Sequence, residues 1–137
     1  MQNAVRGALG IEPFGLTCPE VDTPDKTPIR DYVNVVDLNE AHLKGLEHLF
    51  SGGANNIINL GTGTGNSVME IVNKVQEATG VTFNIGKSAP RQGDDAKKIA
   101  NISKAKDVLG WEPKRTIEDS VKSLVTWYKL HPQGWER

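Results

Sequence analysis

Cysteine is almost absent. Cys18 stands alone among 137 residues, so the chain can form neither an internal disulfide nor a cysteine metal site. Histidine is scarce too, and His42, His48 and His131 lack the spacing of a metal-ligand set. Neither charge dominates: 16 basic residues face 17 acidic ones, for a formal net charge of −1. A surface built to hold nucleic acid is therefore not expected. No apolar run approaches the length of a membrane span, and the opening MQNAVRGALG has no signal-peptide core. These absences predict a metal-free cytoplasmic protein with no nucleic-acid or membrane partner. Catalytic patterns are missing as well. There is no nucleophile elbow and no tyrosine followed four residues later by lysine, so no catalytic residue is assigned.

What is present is an ordinary globular composition, 37% hydrophobic and 24% charged, in a chain long enough for one real core. Residues 1–10 predict a short helix ending near Gly7 or Gly10. Four prolines between Pro13 and Pro28 predict an extended surface loop. IRDYVNVV, rich in β-branched residues, predicts a strand. Asp37 and Glu40 then have the spacing of a capping box. They open a predicted helix whose stripe of Leu38, Ala41, Leu46, Leu49 and Phe50 is expected to face the core, and Gly52-Gly53 stops it.

Asn56–Leu60 predicts a short buried strand, and VTFNI (81–85) another. Between them Ser67 and Glu70 form a second capping box, opening a helix that Gly80 ends. Ser103 starts a short helix ending at Gly110. Thr116 caps the last helix, with Ile117, Val121, Leu124, Val125 and Tyr128 on its core face. The alternation of strands and helices predicts a small α/β layer with a sheet of mixed direction.

NLGTGTGNSV (59–68) poses the sharpest question. An apolar run feeds Gly61, Gly63 and Gly65 and then a helix, the order of parts in a dinucleotide-binding turn. Yet Asn66 stands where that fingerprint wants its third glycine, and no acidic residue follows the next strand at the ribose position. The preferred reading is a strand-to-helix corner in which glycines supply positive φ. Two other clusters suit an anionic ligand better: Arg30-Asp31-Tyr32, and Pro90-Arg91-Gln92-Gly93-Asp94. An arginine fork fits phosphate oxygens, and an aspartate three residues on can accept from a sugar hydroxyl. Each arginine alone also fits a surface residue or a structural ion pair, with Asp31 the obvious acceptor. Lys97-Lys98 reads as a solvated pair.

The segments IRDYVNVVDLNEAH, NIINLGTGTGNSV, SAPRQGD, SKAKDVLGWEPKRTIEDSV and HPQGW, in this order, resemble the C-terminal part of the UDP-glucose 4-epimerases, in the extended short-chain dehydrogenase/reductase group. The likeness runs from about Thr23 to Gly134. It implies a small mixed-sheet α/β domain without the Rossmann domain, divided into an N-terminal segment and Pro-rich loop (1–29) and a UDP-sugar-binding part (30–137).

It also implies site residues: Arg30 and Arg91 on the diphosphate, Asp94 on the ribose, Tyr32 shaping the same pocket, and Phe14 packing near uracil. Where the family often has histidine and a sugar-facing tyrosine, this chain has Asn34 and Lys98, which leaves hexose preference open. NAD and the catalytic tyrosine and lysine belong to the family's other domain. The resemblance therefore implies no cofactor in this chain, no epimerase activity from it alone, and partners in a UDP-sugar and a separate Rossmann domain. It further implies self-association through apolar surface which that domain would cover. The alternatives are a non-catalytic nucleotide-sugar-binding or interaction module, or the C-terminal part of another nucleotide-sugar epimerase or dehydratase.

Overall fold

The computed structural model describes residues 1–87, 89 and 93–135. Two hydrophobic clusters organise it. The larger is a three-helix packing of α1 (Gln2–Ala8), α3 (Val68–Thr79) and α5 (Ile117–Leu130), centred on Val5, Val72, Val75, Val121, Val125 and Tyr128. The helical stripes of α3 and α5 put these valines inside, as their sequence spacing requires. The smaller joins α2 (Val35–Phe50) to α4 (Ser103–Leu109) through Ala41, Ala105 and Trp111.

Local chemistry sets several helix ends. Ser67 and Glu70 make a reciprocal capping box at α3, as do Thr116 and Asp119 at α5. Each cap contributes about 1 kcal/mol. Gly80 and Gly110 close α3 and α4 in left-handed conformations, at φ of 70° and 59°, which only glycine adopts at little cost.

The strands are short and form two groups. β1 (Phe14–Leu16) runs parallel to β4 (Ile85–Lys87). β2 (Ile29–Arg30) lies between β3 (Asn66–Ser67), antiparallel, and β5 (Lys97–Lys98), parallel. The mixed direction agrees with expectation, but several boundaries do not. The Pro13–Pro28 stretch contains β1. The 81–85 strand forms later, at 85–87, where it finds β1 as partner.

The strand expected over IRDYVNVV is only two residues long. It stops because Asn34 turns the chain into α2, accepting the Val36 N–H at 2.9 Å. Asn34 is thus the cap, and Asp37 lies buried inside the first turn. The expected core stripe of α2 is half wrong. Ala41 is buried, whereas Leu46, Leu49 and Phe50 are 50%, 49% and 87% exposed. Residues 56–60 do not form a strand. Ile58 and Leu60 pack toward Trp111, while Ile57 is 90% exposed.

Candidate functional site

The expected site residues fall into two groups joined by Tyr32. In the first, the Arg30 guanidinium donates to Asp94 Oδ1 at 3.1 Å, to the Asp95 carbonyl at 2.8 Å and to its own strand at the Ile29 carbonyl at 2.9 Å. Both side chains are partly exposed, so the ion pair is wet and exchangeable, worth little to stability. Strand pairing of β2 with β5 brings together residues 64 apart in sequence. Asp95 is engaged separately with Lys98 at 2.7 Å. That contact draws its carboxyl below the usual range. Lys97 and Lys98 are therefore strand residues, one of them ion-paired.

In the second group, Phe14 and Tyr32 line a cavity of about 430 Å³ between α1, β1 and α3, with Leu16, Cys18, Val68 and Ile71. Phe14 is half-buried and meets Phe83 edge-on, at 5.6 Å between centroids. Tyr32 also lines a second cavity of about 620 Å³, with Asn34, Ser120, Leu124, Trp127 and Trp135. Burial pushes the Tyr32 phenol up, while the Arg30 charge pulls it partly back. Arg91 lies outside the described residues.

The glycine corner answers its question through its contacts. Among the described residues, Asp31 has no ion-pair partner of the kind expected for it. Its carboxylate accepts the Thr62 N–H at 2.7 Å, the Thr62 hydroxyl at 2.6 Å, the Gly63 N–H at 3.1 Å and the Ala100 N–H at 3.3 Å. Only Gly63 has positive φ, at 71°. Gly61 and Gly65 are required for close approach instead. A Cβ at Gly61 would sit 2.5 Å from Asp31 Oδ2, and one at Gly65 would sit 2.5 Å from Ile29 Cγ2.

The start of α3 is equally occupied. Ser67 Oγ accepts from the Glu70 N–H at 3.0 Å and donates to the Asp25 carboxylate, and Thr27 Oγ1 accepts from the Met69 N–H at 3.2 Å. A pyrophosphate needs free N–H donors and open space beside the glycines. Both are filled here, so NAD does not fit this corner. Sequence reasoning missed Asp31 because its donors come from 31 and 69 residues away. The available signal was a carboxylate in a β-branched run, ahead of alternating glycines. Among the described residues, no cluster of potential metal ligands occurs and no helix is long and apolar enough to cross a membrane.

No family model matches the chain. Among curated proteins, it is 39% identical over 132 residues to a UDP-glucose 4-epimerase from Rhizobium meliloti, covering 96% of this chain and 40% of that protein. The UDP-glucose 4-epimerase of Lactobacillus helveticus is 35% identical over 136 residues, with 98% and 41% covered. The fold agrees. The crystal structure of the Bifidobacterium longum UDP-glucose 4-epimerase in complex with NAD+ and UDP superposes with a TM-score of 0.87 at 32% identity, covering 98% of this chain and 40% of that one. This chain is homologous to the C-terminal part of the UDP-glucose 4-epimerases.

The Thermotoga maritima UDP-glucose 4-epimerase with UDP-glucose gives a TM-score of 0.80 at 31% identity, covering 94% of this chain and 38% of that one. The small mixed sheets match the C-terminal part of the extended short-chain dehydrogenase/reductase epimerases. The chain spans about 40% of the length of the curated relatives it matches.

Proposed function

We propose that this chain is the UDP-sugar-binding portion of a cytoplasmic UDP-glucose 4-epimerase. The observation that carries the reading is the meeting of Arg30 and Asp94 at 3.1 Å, beside a half-buried Tyr32. Arg30 would turn from Asp94 to the diphosphate, freeing the Asp94 carboxylate for the ribose hydroxyls. Exchanging one acceptor for another of equal charge costs little, because the pair is partly solvated. Arg91 would add a second cation to the diphosphate. Phe14 and Tyr32 would wall the cavity that takes the uridine end.

Epimerisation needs NAD and a positioned proton-transfer group. Both would come from a Rossmann portion, supplied in the same polypeptide or as a separate chain. The exposed stripe on α2 supports this. Leu43, Leu46 and Phe50 are 60%, 50% and 87% exposed, an apolar face of the kind that marks an interface. NAD would be held by that other portion, since the glycine corner here has no room for it.

Mixing tests the proposal. This chain, the N-terminal portion of the Rhizobium meliloti relative, NAD and UDP-glucose should together yield UDP-galactose, with neither portion active alone. The relative's own C-terminal portion serves as positive control. Conversion with the control but none with this chain would contradict the proposal.

A further inference from the structure

Asp31 sits in sequence between two residues of the proposed site, Arg30 and Tyr32. Its carboxylate gathers donors from two distant segments, the glycine corner at Thr62 and Gly63 and the exit of β5 at Ala100. The second tie matters most for Arg30. β5 pairs with β2 through two registered positions only, Ile29 with Lys97 and Arg30 with Lys98. Just beyond them, the Ile29 N–H donates to Ala96 at 2.9 Å and the Asp31 N–H to Lys98 at 3.2 Å. So short a ladder holds register weakly by itself.

The Asp31–Ala100 bond anchors β5 on its far side. The near side of β5 then delivers Asp94 Oδ1 and the Asp95 carbonyl to the Arg30 guanidinium. Gly61 makes the convergence possible. A Cβ there would come within 2.5 Å of the carboxylate and 2.7 Å of Ala100 Cβ.

We propose that Asp31 is a positioning residue for the UDP-sugar site, tying the glycine corner and the β5 exit to β2 so that Arg30 and Asp94 meet where a diphosphate and ribose would lie. The alternating glycines serve the site through this carboxylate and bind no nucleotide. The part of the proposal that concerns ligand affinity rests on the function proposed above, while the part that concerns Arg30 does not.

The experiment is nitrogen-edited NMR of the 137-residue chain, observing the Arg30 side-chain N–H signals and titrating with UDP. Asp31→Asn is compared with Thr62→Val, which removes the hydroxyl bond to Asp31 together with the local bonds to Thr64 and leaves the three backbone donors of the carboxylate in place, and with Gly61→Ala. Val75→Ala in the α3 core serves as a destabilised control. Asp31→Asn and Gly61→Ala should both collapse the Arg30 guanidinium signals into fast rotation and weaken UDP about tenfold, the loss of one charge-assisted contact. Thr62→Val should do so partially, which keeps the test decisive if the stronger variants fail to fold. Val75→Ala should lower the melting temperature and leave the Arg30 signals where they were.

Unchanged Arg30 signals in Asp31→Asn or Gly61→Ala would overturn the proposal, as would the same change in Val75→Ala. If the wild-type chain binds no UDP while the Arg30 signals respond as expected, the function reading fails and the positioning role stands.

Discussion

The indole N–H of Trp111 donates to the backbone carbonyl of Asp37 at 3.0 Å, locking residues 74 apart in sequence. Both are sealed from solvent, at 1% and 0% exposure. The Asp37 carboxylate meanwhile accepts the backbone N–H groups of Lys114 and Arg115, at 3.1 and 2.9 Å, and the Arg115 guanidinium at 2.5 Å. The start of α2 is thereby fastened to the loop before α5, and Tyr32 and Asn34 lead directly into that start.

Asp37→Ala should accordingly destabilise the chain by about 3 kcal/mol, because two backbone donors and a guanidinium lose a buried acceptor. Urea denaturation monitored by tryptophan fluorescence measures this. A loss within about 0.5 kcal/mol, the usual range for surface substitutions, would mean that water replaces the carboxylate.

Acid should act through the same group. Burial pushes the Asp37 carboxyl up, but the bonds from Arg115 and Lys114 and the Arg115 charge together outweigh it and hold it below its ordinary value. Stability from this carboxylate is thus present above the unfolded-state value of about 4 and is lost as pH falls through the lower folded value. Denaturation midpoints should drop as pH falls below about 4 in the wild type and fall less in Asp37→Asn. Parallel acid limbs in the two proteins would assign acid sensitivity to other carboxylates.

Ser67→Ala should cost more than Thr116→Ala. Each removes an N-cap worth about 1 kcal/mol, but Ser67 also donates to Asp25, which holds Thr27 at 2.9 and 2.8 Å. Thermal melts of the two variants decide it. Equal losses would show that the Asp25 contact adds nothing.

The apolar face of α2 should drive self-association when this chain is alone. Sedimentation is expected to show concentration-dependent oligomers in the wild type and a monomer in a Leu46→Lys, Phe50→Glu double variant. Both positions are at least half exposed, so neither change disturbs packing. A wild-type monomer at high concentration would contradict this.

Much of the helical framework was legible because its determinants are local. Ser67 with Glu70, Thr116 with Asp119, and the left-handed Gly80 and Gly110 all act within one turn of the end they define. What was not legible depended on distant partners. Asn34 and Asp37 are both good capping residues, and Asp37 was taken inward by donors 77 and 78 residues away. IRDYVNVV satisfies strand propensity, yet it is a strand only where β3 and β5 supply ladder partners. Residues 56–60 have the short apolar run of a buried strand and find no ladder among the described residues. The clusters holding Arg30, Tyr32 and Asp94 were singled out from the residues themselves, the family resemblance supplied the roles expected of them, and strand pairing explains how Arg30 and Asp94 meet. Asp31 was expected to pair with a base because a carboxylate beside an arginine looks like its partner, while among the described residues it is held by four hydrogen bonds from Thr62, Gly63 and Ala100.

UDP-sugar binding by this chain is measured by an NMR-detected titration of UDP-glucose, with Arg30→Ala, Arg91→Ala and Asp94→Ala alongside. Half a cleft leaves the ligand solvated, so saturable binding is expected near about 1 mM. Signals of Tyr32 and its neighbours should shift, and binding should be lost in the three variants. Absence of any site-specific shift in the wild type, or equal binding in the variants, would contradict the assignment of this chain as the UDP-sugar-binding portion.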